Sequence, residues 1–160
     1  MNDRLELLAS MPPFGGLNAA TLELLTRLAQ PIAVSAGEYF FREGDESQTM
    51  YVLQTGRVEI YKTWQSTPRV LRYMNAGDCF GEMALIDLFP RSASALAVES
   101  SEALQITPPI LHEIYRHDLE QFTLLQMNLG REMSRRLRRI DDMLFQVSMG
   151  ETLPAKYKKQ

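Results

Sequence analysis

The sequence has few of the features that disulfide-rich, secreted and membrane proteins require. It has a single cysteine, Cys79, among 160 residues, so no internal disulfide can form and a reducing, cytosolic setting is favoured. No apolar run approaches about 20 residues, and the N-terminus lacks the basic and apolar regions of a secretory signal. We therefore expect a soluble, untargeted, cytoplasmic protein that does not enter a membrane.

The chain also has no excess of positive charge and little histidine. Its formal net charge is -3, which gives no overall basic face for nucleic acid. Its two histidines, His112 and His117, have no cysteine or carboxylate nearby at ligand spacing, so no metal site is predicted. No nucleophile and base pair suggests catalysis, and we expect a protein that is not an enzyme.

The N-terminal segment, 1–31, has helical character. Leucines in the first ten residues favour one helix, which the proline pair Pro12 and Pro13 should end because proline lacks an amide donor. Asn18 is a favourable N-cap for a second helix, which Pro31 should end. We predict two short helices before the main domain.

The next segment, 32–106, changes to strand character. Short runs rich in β-branched and aromatic residues alternate with turn signals such as Gly44-Asp45 and Gly77-Asp78. Many short strands at close spacing are typical of a β-sandwich or a rolled barrel.

The C-terminal segment, 107–149, is helical again. Thr107 and Pro108 suit the start of one helix, and a longer helix should begin near Asp118. The long helix carries an apolar stripe over about eight turns. Its members are Phe122, Leu125, Leu129, Met133, Leu137, Ile140, Leu144 and Val147. A small barrel would not cover the whole stripe, so we expect pairing with a second copy, while residues 150–160 should form a flexible tail.

The stretch from Asp78 to Ser94 carries the recognisable chemistry. Gly81 permits close backbone approach, and Glu82 can begin one helical turn whose first amides point at an anion. Arg91 supplies a fork of donors that suits a phosphate, and Ser92 could add a hydroxyl. A carboxylate at Glu82 would repel the phosphate unless it accepts a hydrogen bond from a sugar hydroxyl or pairs with a neighbouring basic side chain. Phosphate together with sugar hydroxyl implies a nucleotide.

Simpler interpretations exist for the same charges. Arg91 could be a surface arginine paired with Glu82 or Glu99. Five arginines of the long helix could form a patch for nucleic acid or acidic lipid, but neighbouring acidic residues favour a solvated face. These are Arg131, Arg135, Arg136, Arg138 and Arg139.

The motifs together resemble a known family. The runs FGEMALI and PRSASALAV are similar to the phosphate-binding cassette of cyclic nucleotide-binding domains, which occur in bacterial catabolite activator proteins and in regulatory subunits of cAMP-dependent kinase. AGEYFFREGD, YVLQTGRVEIY and NAGDCFGE extend the resemblance to about residues 14–147. The spaced glycines that match are Gly37, Gly44, Gly56, Gly77 and Gly81.

The resemblance implies an eight-stranded jelly-roll barrel with helices at both ends and a cassette at 80–94. It also implies a cyclic nucleotide, cAMP rather than cGMP, as regulatory ligand. Glu82 would bind the ribose 2'-hydroxyl and Arg91 the cyclic phosphate. Ser92 and the amides near Met83 and Ala84 would bind the remaining phosphate oxygens.

The long helix resembles the dimerising helix of the activators. MSRRLRRIDDM aligns with its base-contacting part and puts Ile140 and Asp141 near the base, where the activators have small hydroxyl residues. A carboxylate at Asp141 could accept from the adenine amino group or from guanine donors. About a dozen residues follow Val147, too few for a helix-turn-helix, so autonomous DNA binding is not expected. The alternative function is a protein-interaction module that keeps the fold and binds no nucleotide.

Overall fold

The computed structural model describes residues 2–150, which form five α-helices, one short 3-10 helix and eight β-strands. The helices are α1 (Asn2–Ser10), α2 (Ala19–Leu28), α3 (Glu82–Asp87), α4 (Pro108–His117) and α5 (Leu119–Ser148), with the 3-10 helix at Pro12–Phe14. The strands are β1 (Gln30–Val34), β2 (Tyr39–Phe41), β3 (Met50–Thr55), β4 (Arg57–Trp64), β5 (Thr67–Asn75), β6 (Cys79–Phe80), β7 (Ser94–Ala97) and β8 (Ser101–Ile106). The predicted tail at 150–160 lies outside the described residues except for Gly150.

Local hydrogen bonds explain where two of the helices begin. The Asn18 side chain accepts from the Thr21 amide at 2.8 Å, which satisfies a donor in the first turn of α2. Asp118 does the same for α5 by accepting from the Gln121 amide at 3.1 Å. Thr107 precedes α4 in an extended conformation, but its side chain makes no capping bond.

The strands form two four-stranded antiparallel sheets, with strand orders β1-β8-β3-β6 and β2-β7-β4-β5. Their inner faces enclose an aromatic cluster in which the Phe40 and Phe80 rings are 5.1 Å apart and the Tyr51 and Phe80 rings are 5.3 Å apart. This jelly-roll-like arrangement, with helices at both ends, confirms the fold expected from the sequence.

One turn glycine explains how β4 begins close to β8. Gly56 has φ of +86°, and a Cβ there would lie 2.3 Å from the Ser101 Oγ and 2.5 Å from the Ser100 carbonyl oxygen. Any larger residue would meet both backbone strain and a clash with backbone atoms.

The two halves of the long helix α5 differ in how deeply they are buried. Leu125 and Leu129 pack into the core beneath α4 and the 3-10 helix, and the Asn128 amide donates to the Gly15 carbonyl at 2.8 Å. The C-terminal half leaves most of its apolar residues exposed. These are Leu137, Ile140, Leu144, Phe145 and Val147. Within residues 2–150, no helix is both long and apolar enough to cross a membrane.

Candidate functional site

The segment between β6 and α3 brings the backbone against an arginine. Gly81 precedes α3 with φ of +80°, a left-handed conformation that glycine adopts without strain. A Cβ at this position would lie 2.7 Å from the Arg91 Nη1 and 3.0 Å from the Thr49 carbonyl oxygen. Gly81 is therefore needed for Arg91 to reach its observed position.

Arg91 is almost fully buried, with 3% of its surface exposed. Its Nη1 donates to the Gly81 carbonyl at 2.9 Å, and its Nη2 donates to the Thr49 carbonyl at 2.5 Å and the Ser47 hydroxyl at 3.1 Å. The guanidinium carbon lies 4.0 Å from the centroid of the Phe41 ring. Burial lowers the pKa of Arg91. These contacts hold the guanidinium in one orientation.

The alternative of a surface arginine paired with a carboxylate is wrong for Arg91. Its partners are two carbonyl oxygens and a hydroxyl rather than Glu82 or Glu99. Its Nε is buried and has no hydrogen-bond partner among residues 2–150. A buried donor without a partner is costly, so this atom is available for an acceptor.

Glu82, the first residue of α3, supplies the carboxylate of the candidate site, and 8% of its surface is exposed. Its Oε1 accepts from both terminal nitrogens of Arg136, with the Nη2 at 2.6 Å. Its Oε2 is buried and meets no donor in the described part of the chain. One carboxylate oxygen is therefore committed to α5 and the other is available.

Arg136 is a residue of the candidate site that the sequence did not predict. The solvated face expected for the arginine cluster is consistent with exposed Arg135 and Arg138, but it is wrong for Arg136, which turns inward to Glu82. Its position in the helix could have indicated this. Arg136 follows the buried Leu129 by seven residues, which is two turns along the same face of α5. A long arginine on the buried face needs a buried anion.

The cassette residues surround a small cavity of about 40 Å³. Six of the eight residues expected from the sequence line it: Gly81, Glu82, Met83, Ala84, Arg91 and Ser92. Ser92 is exposed and its hydroxyl lies 3.9 Å from the Met83 sulfur. Ile140 and Asp141 do not line the cavity. They lie about one turn beyond Arg136 on α5 and are exposed.

Known proteins are similar to this chain in sequence and in fold. Residues 31–118 match the family described as cyclic nucleotide-binding domain. The cyclic AMP receptor protein of Thermus thermophilus is 34% identical over 131 residues, which cover 81% of this chain and 59% of that protein. This chain thus spans about three fifths of that relative's length.

Solved structures agree with this assignment. The crystal structure of the Thermus thermophilus catabolite activator protein superposes with a TM-score of 0.77 at 33% identity, over 86% of this chain and 63% of that one. A cyclic nucleotide-binding domain from Methylobacillus flagellatus has a TM-score of 0.78 over 89% of this chain and 82% of that one, and at 23% identity it supports the fold alone. The chain therefore belongs to the cyclic nucleotide-binding domain family and is similar in particular to the catabolite activator proteins.

Proposed function

We propose that this domain is a cyclic-nucleotide sensor, which binds cAMP in preference to cGMP and transmits binding to the position of α5 in a homodimer. The observation that carries the proposal is a pair of buried polar atoms that have no partner in residues 2–150. Arg91 Nε is a donor and Glu82 Oε2 is an acceptor, and both residues line one cavity. A ligand that presents an anionic acceptor and a hydroxyl donor would satisfy both atoms.

A cyclic nucleotide has these two groups on adjacent parts of its sugar. The cyclic phosphate would accept from Arg91, whose orientation is already fixed by three protein hydrogen bonds. The ribose 2'-hydroxyl would donate to Glu82. Ser92 and the amides of Met83 and Ala84 would bind the remaining phosphate oxygens.

The preference for adenine rests on the relatives: Thermus thermophilus has a similar protein described as a cyclic AMP receptor. Asp141 presents a carboxylate, which could accept from the exocyclic amino group of adenine or from the donors of guanine. For Ile140 and Asp141 to reach the base, α5 must take a different position over the cassette from the one described above.

Ligand size links binding to helix movement. Small-molecule sites usually have volumes of about 300 to 1,000 Å³, whereas this cavity has about 40 Å³. A nucleotide must therefore displace α5 or the cassette. Glu82 is hydrogen-bonded directly to Arg136 of α5. A ligand that binds Glu82 would therefore change a contact that holds the helix. Binding shifts the helix only if the ligand favours one arrangement over the other.

The exposed half of α5 supplies the surface for a second copy. Leu137 and Leu144 are 59% and 63% exposed and lie seven residues apart, a spacing suited to a two-helix interface. We infer a cytoplasmic homodimer that regulates an effector protein.

Calorimetric titration with cAMP and cGMP tests the nucleotide site. Arg91→Ala should weaken cAMP binding by about 2 to 5 kcal/mol, because removing one partner of a buried charge interaction leaves the other unpaired. Arg69→Ala is the matched control, since Arg69 lies exposed on β5 and does not line the cavity. Circular dichroism of each variant verifies folding.

Two results would contradict the proposal. An Arg91→Ala affinity within threefold of the unmodified chain would remove the phosphate role. Absence of binding by the unmodified chain at millimolar cAMP and cGMP, with no rise in melting temperature, would favour the protein-interaction module instead.

A further inference from the structure

A groove between the two N-terminal helices is separate from the cassette. It lies between α1 and α2 and has a volume of about 690 Å³. Small-molecule sites usually have volumes of about 300 to 1,000 Å³. None of the residues that line this groove lines the cassette cavity, and none belongs to α5. The N-terminal groove is therefore independent of the proposed nucleotide site.

One side of α2 faces the groove. This side carries Ala20, Glu23, Leu24 and Arg27, whose spacing of three, one and three residues places them together on a helix. The opposite side of α2 holds Leu22 and Leu25, which are buried in the core. The groove is therefore formed by the side of α2 that the core leaves uncovered.

The floor of the groove is apolar. Leu5 of α1 and Leu24 of α2 are half-buried and pack against the core. The Thr26 hydroxyl donates to the Leu22 carbonyl at 2.8 Å, so it adds no free donor. Ala20 is small and exposed, which leaves space above the floor. A floor with so few hydrogen-bonding groups suits the apolar part of a ligand.

The charged residues of the groove are two arginines and one carboxylate. Arg4 comes from α1, whereas Glu23 and Arg27 come from α2, and together they give a formal charge of +1. None of the three forms an ion pair within 4 Å with any residue from 4 to 150. One negative charge would balance this set, whereas a doubly charged phosphate would be repelled by Glu23.

We propose that the N-terminal groove binds a small amphipathic carboxylate, such as a medium-chain fatty acid. The alkyl chain lies over Leu5 and Leu24, and the carboxylate binds at Arg4 and Arg27. A guanidinium matches a carboxylate because the two can form a pair of parallel hydrogen bonds. Arg27 is exposed, so each charge contact contributes modestly and burial of the chain contributes the larger part of the affinity.

An NMR titration of the nitrogen-15-labelled chain with octanoate tests the site. We expect the amide signals of α1 and α2 to shift and to saturate at one octanoate per chain. Octanol lacks the carboxylate and acetate lacks the chain, so each should bind at least threefold more weakly than octanoate.

Two alanines provide a matched test of the space above the floor. Ala20→Leu should fill the groove and weaken octanoate binding at least fivefold. Ala19→Leu is the control and should change the affinity less than twofold, because Ala19 is also exposed at the start of α2 but does not line the groove. Circular dichroism of both variants verifies folding.

The charges are tested by three further variants. Arg27→Gln should weaken octanoate binding at least threefold, and Glu23→Gln should strengthen it, because Glu23 repels the carboxylate. Arg69→Gln is the control for a lost positive charge, since Arg69 is exposed on β5 outside the groove, and it should change the affinity less than twofold.

The results also separate this site from the nucleotide site. Arg91→Ala should keep its octanoate affinity within twofold, and saturating cAMP should not displace octanoate. No saturable shift in α1 and α2, equal weakening by Ala19→Leu and Ala20→Leu, or weaker binding by Glu23→Gln would overturn the proposal. If octanoate binds as described and neither cyclic nucleotide binds, the nucleotide proposal fails and the N-terminal site stands.

Discussion

The ion pair between Glu82 and Arg136 offers a quantitative test of how α5 is held to the barrel. The Glu82 side chain is 10% exposed and the Arg136 side chain 24% exposed, so the pair lies mostly out of water. Removing one partner of a buried pair costs about 3 to 5 kcal/mol. Because Arg136 retains some contact with solvent, we expect about 2 to 3 kcal/mol for Arg136→Gln.

The two single variants should differ. Arg136→Gln leaves the Glu82 carboxylate buried on α3 with few donors, whereas Glu82→Gln leaves a long arginine that can turn toward water. Arg136→Gln should therefore be the more destabilising change. In a domain of this size each kcal/mol lowers the melting temperature by about 2 to 4 °C, so the expected decrease is about 4 to 12 °C.

The assay is urea unfolding of the unmodified chain, the two single variants and the double variant. We expect a coupling energy of about 1 to 3 kcal/mol between the two positions. Arg135→Gln is the control, because its pair with Glu132 has side chains 62% and 41% exposed and should contribute less than about 1 kcal/mol. A coupling energy below about 0.5 kcal/mol would refute the view that this pair holds α5 in place.

Three other predictions follow from packing and burial. Gly56→Ala should destabilise far more than Gly44→Ala in urea unfolding, because both residues have φ of +86° but only Gly56 would place a Cβ against backbone atoms; equal losses would contradict this. Burial and nearby carboxylates raise the pKa of the Cys79 thiol, so at pH 8 little thiolate forms and labelling by a disulfide reagent should be more than tenfold slower than after denaturation. Leu144→Glu should convert the proposed homodimer into a monomer in sedimentation equilibrium, and a dimeric mass for the variant would contradict an interface on the exposed half of α5.

Local sequence was sufficient for most of the fold. The caps at Asn18 and Asp118 involve donors three residues away, so the relevant chemistry lies within one helical turn. Glycines at spaced turns and the change from helical to strand period marked the barrel. The cassette was recognisable for the same reason, since Gly81, Glu82 and Arg91 lie within eleven consecutive residues.

Partners distant in the sequence could not be assigned in this way. Arg91 was expected to bind a phosphate, but the sequence did not indicate that Thr49 and Ser47, more than forty residues earlier, anchor it. Arg136 was placed with the solvated arginines, although it meets a carboxylate 54 residues earlier. In both cases the residue type could be interpreted from the sequence, but the partner could not be predicted. The partner depends on how distant strands and helices pack.

The sequence by itself determined the elements, their order and the residue types of the cassette, because periodicity, capping and turn chemistry act over a few neighbouring residues. Only the tertiary structure decided which apolar half of α5 is buried, which oxygen of Glu82 is available and that Arg136 turns inward to the other oxygen. Those features depend on the angle at which α5 crosses the barrel. That angle is set by packing among residues far apart in the chain, and no local pattern encodes it.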